Sequence, residues 1–359
     1  MTAKANYRDG PIAAPLADGS VEAPPDEASD ALADQDAEVA EGPLISGSPD
    51  EPLVIERRPC EVTEADHGER LDKLLARMAP EFSRSHLQGL IARQHVRLDA
   101  QVCTQASRRL RAGQRVEVEL VPTAQALAFR PERMDLPIVY EDEHLLVLDK
   151  PAGLVVHPGA GNWSGTLLNG LLAHHVAAAQ LPRAGIVHRL DKGTSGLMVV
   201  GKSLNAVTQL VRLIAAREVK REYLALAQGR FEPAERRFEG AIGRDPASRL
   251  RMAVLPGGKP ARTDVQVIAQ GAGYSALLCR LHTGRTHQIR VHLAQAGHPL
   301  VSDPLYGGAM ALQLERPALH ARRLAFLHPI SGVMLHFEAP LPADLAQAWR
   351  LVAGNTPAA

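Results

Sequence analysis

One stretch, Gly185–Lys202, constrains the fold more than any other because it joins a charged loop to a strictly apolar segment. The run Leu197-Met198-Val199-Val200 includes β-branched valines and is bounded by glycines, which predicts a buried strand. Glycine adopts backbone angles that other residues resist, so Gly193–Gly196 is predicted to form a tight turn. Asp191 then lies at the rim of that turn, between basic residues.

Asp191 permits two interpretations on residue types alone. An Asp before a glycine turn is often a turn former or a member of a surface ion pair. Arg189 and Lys192, which flank it, favour the ionised carboxyl group and lower its pKa. An ionised and positioned carboxylate is what covalent carboxylate catalysis requires, so a catalytic role is the alternative.

The net charge of zero hides a division of the chain into an acidic leader and a basic body. Residues 1–52 contain twelve Asp or Glu and two Lys or Arg, whereas residues 53–359 contain 28 acidic and 38 basic side chains. The leader is rich in Ala and Pro and has one aromatic residue, Tyr7, so it is predicted to be disordered. The basic body suits a polyanionic partner such as RNA.

Residues 53–121 are predicted to form a small separate domain. The apolar residues within Leu71–Met78 follow the spacing of an amphipathic helix, and Ser83 is placed to cap a second helix. Two alternating segments, 96–98 and 115–120, predict short strands.

The same segment carries the strings RLDKLLARMAPEFSRSHLQGLI and LRAGQRVEVEL. They are similar to the small RNA-binding domain shared by a ribosomal small-subunit protein, tyrosyl-tRNA synthetases and many pseudouridine synthases. In that domain the second helix contacts RNA phosphates, which implies RNA-binding roles for Arg84, Arg93 and Arg97. Without the resemblance, these arginines fit an ordinary solvated helix face. Contacts of this kind position RNA and carry little sequence information.

The rest of the chain carries strings that resemble, in order, those of the RluA/RluC/RluD-type pseudouridine synthases. They are YEDEHLLVLDKPAGLVVHPG, HRLDKGTSGLMVV around Asp191, and TGRTHQIRVHL around Arg290. The resemblance implies an α+β fold in which a catalytic domain with a mixed, mostly antiparallel sheet, residues 137–353, follows the small α/β RNA-binding domain. Residues 122–136 are then a linker, and residues 354–359 are a tail.

The reaction that the resemblance implies is the isomerisation of a uridine in RNA to pseudouridine, which is redox-neutral and needs no cofactor. Asp191 would be the nucleophile or base that initiates cleavage of the glycosidic bond, and Arg290 would pair with it through charge-assisted hydrogen bonds. Tyr223 matches the family position that stacks on the target base. A lone Tyr in a strand is otherwise half-buried core. Arg189 would hold the flipped nucleotide or its phosphate.

Within the family, the strings are most similar to the branch that modifies large-subunit ribosomal RNA, which is therefore the predicted partner. Other ribosomal uridines and transfer RNA are the near alternatives. A non-catalytic RNA-binding protein of ribosome assembly is an alternative from another class, and the presence of Asp191, Tyr223 and Arg290 argues against it. A glycoside hydrolase would need a second carboxylate near Asp191, and none stands out in the sequence.

Other sequence features limit the remaining classes. His287 and His292 are five residues apart without the intervening Glu of the H-E-x-x-H pattern, so a metal site is only weakly indicated. Cys60, Cys103 and Cys279 form no C-x-x-C pair and fit a reducing cytoplasm. No apolar run approaches the ~18 residues of a membrane span. We therefore expect a cytoplasmic protein, and a monomer.

Overall fold

The computed structural model describes residues 55–121 and 128–354. The predicted acidic leader, the first six residues of the predicted linker and residues 355–359 lie outside the described residues. In the part of the chain that is described, no helix combines the length and the apolar character needed to cross a membrane.

The first body is an antiparallel sheet of four strands with two helices packed against it. Its strands are β1 (Glu56–Glu61), β2 (Val96–Leu98), β3 (Gln101–Val102) and β4 (Arg115–Leu120), in the spatial order β1-β4-β2-β3. Its helices are α1 (Leu71–Met78) and α2 (Arg84–Ala92). Apolar residues of all these helices and of β2 and β4 form one buried cluster.

The helices of this body confirm the sequence predictions. Helix α1 has the predicted bounds, and the Ser83 hydroxyl group accepts a hydrogen bond from the His86 backbone N–H at 3.3 Å, which caps α2. Strand β1 was not predicted, because its sequence ERRPCE lacks apolar alternation and contains Pro59. Such a strand is suited to the edge of a sheet, and β1 pairs with β4 alone.

The second body is built on a sheet of nine strands. In chain order these are β5 (Ile138–Glu141), β6 (Leu145–Lys150), β7 (Ser195–Gly201), β8 (Lys220–Gln228), β9 (Glu235–Glu239), β12 (Arg262–Gly271), β13 (Tyr274–Leu281), β14 (Leu319–Leu327) and β15 (Met334–Glu338). A separate hairpin consists of β10 (Ile242–Arg244) and β11 (Met252–Val254). The strand order is β5-β6-β7-β14-β8-β13-β12-β9, with β15 also paired to β14. The β7–β14 pair is parallel and the other pairs are antiparallel, which confirms the predicted mixed α+β class.

Helices cover both faces of this sheet. Helices α3 (Leu167–His174) and α5 (Gln288–Gln295) share a core with Tyr223 on one face. Helices α4 (Leu204–Ala215) and α6 (Ala343–Ala353) pack on the opposite face. Because successive strand residues point to opposite faces, Leu224, which follows Tyr223 in β8, belongs to the core on the opposite face.

Residues 128–136 of the predicted linker pack against the second body. Phe129 is buried, and the Asn169 side-chain amide of α3 donates hydrogen bonds to the carbonyl oxygens of Ala128 and Arg130 at 3.1 and 2.8 Å. This part of the linker is therefore attached to α3. The domain boundaries at residues 121 and 137 stay predictions.

Strands β7 and β14 approach closely at Gly196. Its φ is +115°, and a Cβ atom there would lie 2.2 Å from the carbonyl oxygen of Ala321, so this position requires glycine. The turn lies earlier than predicted, because the Thr194 N–H donates to the Asp191 carbonyl oxygen at 3.0 Å and β7 already begins at Ser195. The prediction of a turn over Gly193–Gly196 is wrong because Gly196 is needed for the contact between strands.

Candidate active site

A cavity of about 340 Å³ opens where the loop before β7, strand β8 and the start of α5 meet. Asp191, Tyr223 and Arg290 all line it, although they are far apart in the sequence. The Asp191 side chain is 18% exposed, and Tyr223 is buried. The structure therefore brings together the three residues that were predicted to be catalytic.

Arg290 bridges two carboxylates. Its Nη1 donates to Asp191 Oδ2 at 3.0 Å, while its Nε and Nη2 donate to the two oxygens of Asp303 at 2.8 and 2.9 Å. The Arg290 side chain is 8% exposed and that of Asp303 is 1% exposed. The bidentate contact with Asp303 thus sets the guanidinium plane on one side, and Nη1 on the other side donates to Asp191.

The charges around Asp191 keep it ionised. Burial alone would raise its pKa, but the charge that His287 carries at acid pH, the charge of Arg290 and its hydrogen bond, and the charge of Arg189 hold the pKa below the usual Asp value. Burial also lowers the pKa of His287, so that ring is neutral near neutral pH. Arg290 is therefore the dominant positive charge next to Asp191. Its own pKa is raised, against burial, by Asp303 and Asp191.

Asp303 was missed by the sequence reasoning and bears on the hydrolase alternative. A second carboxylate does lie close to Asp191, on the other side of the Arg290 guanidinium group. Both of its oxygens are bonded to Arg290 and its side chain is almost completely buried, so it is not placed to exchange protons with a ligand in the cavity. The one signal in the sequence was an Asp-Pro pair within a string that resembles the family.

His287 and Tyr306 lie next to the Asp191–Arg290 pair. His287 precedes α5 with a left-handed backbone (φ +56°), and its Nδ1 lies 2.8 Å from the Tyr306 hydroxyl oxygen. That oxygen also accepts a hydrogen bond from the Met252 N–H at 2.8 Å. The other ring nitrogen of His287, Nε2, lies 3.9 Å from Asp191 Oδ1. The Tyr306 ring also packs on Arg290, 4.9 Å from the guanidinium carbon.

Tyr223 provides an aromatic wall of the cavity. It lies in the middle of β8, opposite Cys279 of β13 and Ala321 of β14. Burial, assisted by the negative charge of Asp191 and opposed by Arg221, raises the pKa of Tyr223 to about 12. The phenol group therefore keeps its proton at neutral pH.

Lys150 anchors the loop that contains Asp191. It is completely buried, and its Nζ donates to the carbonyl oxygens of Pro151 and Leu154 at 2.9 Å each and to that of Lys192 at 3.4 Å. Burial lowers the pKa of Lys150 to about 8, although the negative charge of Asp191 opposes this shift. Lys192 directly follows Asp191, so this amine fixes the carboxylate through the backbone.

The residues predicted to bind RNA divide into two groups. Arg189 lines the cavity, whereas Arg84, Arg93 and Arg97 lie in the first body. Arg84 Nη2 donates to Asp72 Oδ2 at 2.8 Å, and Arg93 Nε donates to the carbonyl oxygen of Gly89 in α2 at 3.2 Å. All three remain exposed, and their roles in RNA binding stay predictions.

The histidines of the string TGRTHQIRVHL, His287 and His292, take part in packing and hydrogen bonding. His292 Nδ1 lies 2.9 Å from the Thr263 hydroxyl group, and its ring stacks on Phe238. Within residues 55–121 and 128–354, no group of three or more His, Cys, Asp or Glu side chains could hold a metal ion.

Comparison with known proteins identifies the family to which this chain belongs. The family model described as RNA pseudouridylate synthase matches residues 144–295, and the S4 domain model matches residues 69–116. The chain is 50% identical over 302 residues to ribosomal large subunit pseudouridine synthase D of Neisseria meningitidis serogroup B, covering 80% of each chain.

Two further relatives carry the same name. Identity is 47% over 296 residues with the protein of Nitrosomonas europaea, covering 80% of this chain and 86% of that one. Identity is 44% over 299 residues with the protein of Escherichia coli strain K12, covering 80% and 91%. Similarity at this level along most of both chains establishes the family, so this chain belongs to the RNA pseudouridylate synthases and is an RNA pseudouridine synthase with an S4 domain before its catalytic sheet.

Proposed function

We propose that this enzyme isomerises specific uridines of large-subunit ribosomal RNA to pseudouridine, and that Asp191 initiates the reaction. The observation that carries the proposal is the Asp191–Arg290 pair in a cavity that Tyr223 and several arginines also line. The relatives that are 44–50% identical are named for the large ribosomal subunit, which supports this choice of RNA.

The reaction exchanges one bond to the ribose for another. The bond between N1 of uracil and C1′ breaks, the base turns, and C5 bonds to C1′; the proton lost from C5 balances the proton gained by N1. Asp191 can attack C1′, add to the uracil ring or remove a proton from the ribose. Each of these routes starts from an ionised carboxylate, and the lowered pKa of Asp191 supplies it at neutral pH.

The other cavity residues have complementary roles in this proposal. Arg290 orients Asp191 and keeps it charged, and the ring of Tyr223 stacks on the extruded base. Arg189 holds the flipped nucleotide or its phosphate. Arg84, Arg93 and Arg97 of the first body bind RNA phosphates further away. We also infer a cytoplasmic monomer: Cys60, Cys103 and Cys279 are free thiols, as in a reducing compartment, and light scattering would measure the mass in solution.

The test compares wild-type protein with Asp191→Asn and with a control, Asp135→Asn. Asp135 is exposed and does not line the cavity. Large-subunit ribosomal RNA is incubated with each protein, marked with carbodiimide and mapped by primer extension. Wild type and the control should produce stops, whereas Asp191→Asn should lose about 10³-fold or more of the activity. RNA binding should be nearly unchanged in all three, because phosphate contacts dominate affinity.

Different outcomes would remove different parts of the proposal. Comparable turnover by Asp191→Asn would reject the role of that carboxylate. Stops on transfer RNA but not on ribosomal RNA would keep the reaction and reject the substrate. Binding without stops on any RNA would favour a non-catalytic role in ribosome assembly.

A further inference from the structure

Arg221 is a buried cation without an anionic partner. It lies in β8, two residues before Tyr223 and therefore on the same face of the sheet, and it lines the cavity. Its exposure is 6%. Within residues 55–121 and 128–354, its Nε has no hydrogen-bond partner and no carboxylate lies within ion-pair distance of it. Burial lowers the pKa of Arg221, a shift that Tyr223 only partly opposes.

The other charged groups that line the cavity do not neutralise the positive charge of Arg221. Asp191, the carboxylate among the lining residues, is already bonded to Arg290. Glu222, the next residue of β8, points to the opposite face, where it pairs with Arg280 at 2.8 Å. A guanidinium group stays protonated in proteins, so Arg221 keeps its positive charge although no carboxylate of the described residues pairs with it.

The backbone around Arg221 leaves space for this guanidinium group. Gly284, in the loop between β13 and α5, lies so close that a Cβ atom there would be 2.8 Å from Arg221 Nη1. Nε is sealed from solvent, whereas the two terminal nitrogens keep access to the cavity. The donors that remain available are therefore the pair that can bind a planar or tetrahedral anion in two places.

We propose that Arg221 binds one phosphodiester group of the RNA, at the target nucleotide or its immediate neighbour. The proposal rests on the proposed function and assigns a contact within that site. A buried charge is costly unless it is paired, and the anions that RNA offers are its phosphates. Residues two apart in a strand are separated by about 7 Å, so an anion at Arg221 and a base on Tyr223 belong to the same or adjacent nucleotides.

The experiment combines a protein variant with a change in a single phosphate. A ribosomal RNA fragment containing the target uridine is prepared with one neutral methylphosphonate at each flanking position in turn. Affinity is measured in the Asp191→Asn background, so that the RNA is not converted, and single-turnover rates are measured with Asp191 present. The proteins compared are the parent, Arg221→Met and a matched control, Arg280→Met, whose side chain lies on the opposite face of the sheet and is 49% exposed.

We expect Arg221→Met to bind the unmodified fragment about ten- to a hundredfold more weakly, and Arg280→Met to change affinity by less than about threefold. One methylphosphonate should weaken the parent by a similar factor and leave Arg221→Met without further loss. Gly284→Ala should weaken binding at the same phosphate, because it displaces the guanidinium group while keeping its charge. This variant also covers the case in which Arg221→Met fails to fold.

Three results would overturn the proposal. One is that every methylphosphonate weakens Arg221→Met and the parent equally. Another is that the two arginine variants bind alike. The last is that Arg221→Met binds normally but has a shifted pH–rate profile. Arg221 would then act on the ionisation of the Tyr223 phenol group instead of binding a phosphate. Product formation by the protein with Asp191 tests the proposed function separately, since absence of pseudouridine would reject that function whatever the affinities are.

Discussion

Replacement of Asp303 by Asn tests whether its contact with Arg290 supports the site. In the structure Asp303 accepts two hydrogen bonds from Arg290, at 2.8 and 2.9 Å. Asn offers one acceptor oxygen, so one of the two charged hydrogen bonds is lost. Its NH₂ group would face a guanidinium N–H, and two donors in that position repel each other. Hydrogen bonds to charged groups contribute about 1.5–3 kcal/mol, so the free energy of unfolding should fall by about 2–4 kcal/mol.

The catalytic effect should be separate from any effect on ionisation. Arg290 still pairs with Asp191 in Asp303→Asn, so the pKa of Asp191 stays low and the acid limb of the pH–rate profile should not move. The guanidinium plane loses the contact that sets it, and a catalytic group misplaced by about 1 Å can cost about a hundredfold in rate. We expect kcat to fall about ten- to a hundredfold, with KM changed by less than about threefold.

The measurements are urea unfolding and single-turnover kinetics, with Asp344→Asn as the control for stability. Asp344 forms the same bidentate contact with Arg316, at 2.7 and 3.0 Å, but it is 43% exposed. An exposed pair contributes about 0–1 kcal/mol, so the control should lose much less stability. Wild-type kcat in Asp303→Asn, together with a stability loss no larger than that of Asp344→Asn, would refute the reasoning.

Acid should destabilise the protein below about pH 6.5, because burial and a nearby arginine lower the pKa of His157 and of His188 to about 3 each. Unfolded rings titrate near 6.5, so stability is full above that pH and is lost as the pH falls toward 3, by roughly 2 kcal/mol per ring at pH 5. Urea unfolding of the wild type and of His157→Phe, at a pH above 6.5 and at pH 5, checks this. The variant lacks one of the two rings, so a loss of stability equal to that of the wild type would contradict the prediction. Gly196→Ala should lower stability by more than about 3 kcal/mol, because its Cβ would meet the Ala321 carbonyl oxygen. The control Gly332→Ala has φ +70° in open space and should lose about 1 kcal/mol; similar melting temperatures for both would reject the steric argument.

Features that depend on neighbouring residues could be predicted from the sequence. The apolar spacing of α1, the Ser83 cap and the glycine-bounded strand β7 are all local, and all three are observed. Asp191, Tyr223 and Arg290 came from the family resemblance, and they line a single cavity. Their catalytic roles still depend on the experiments above.

Features that depend on tertiary contacts could not be predicted. Asp303 gains its importance from Arg290, thirteen residues away, and nothing in the local sequence specifies that pairing. Lys150 ends an apolar strand and would ordinarily be exposed, yet it is completely buried beneath the loop of Asp191. Arg221 looks like one more charge in an alternating strand until the sheet shows which face it shares with Tyr223.

The confined position of Asp191 in the cavity has a consequence for the RNA. The carboxylate is 18% exposed, and Lys150 anchors the backbone beside it, so the carboxylate cannot reach out to a base inside a helix. For the proposed reaction, each uridine has to swing out of its stack, at a cost of a few kcal/mol that is smaller in loops. Two uridines with identical neighbours would then be modified at different rates if the free energies of unstacking them differ. The choice of uridine by this enzyme would depend on how rigid the RNA is around it, and on the stage of ribosomal RNA folding at which the enzyme meets the RNA.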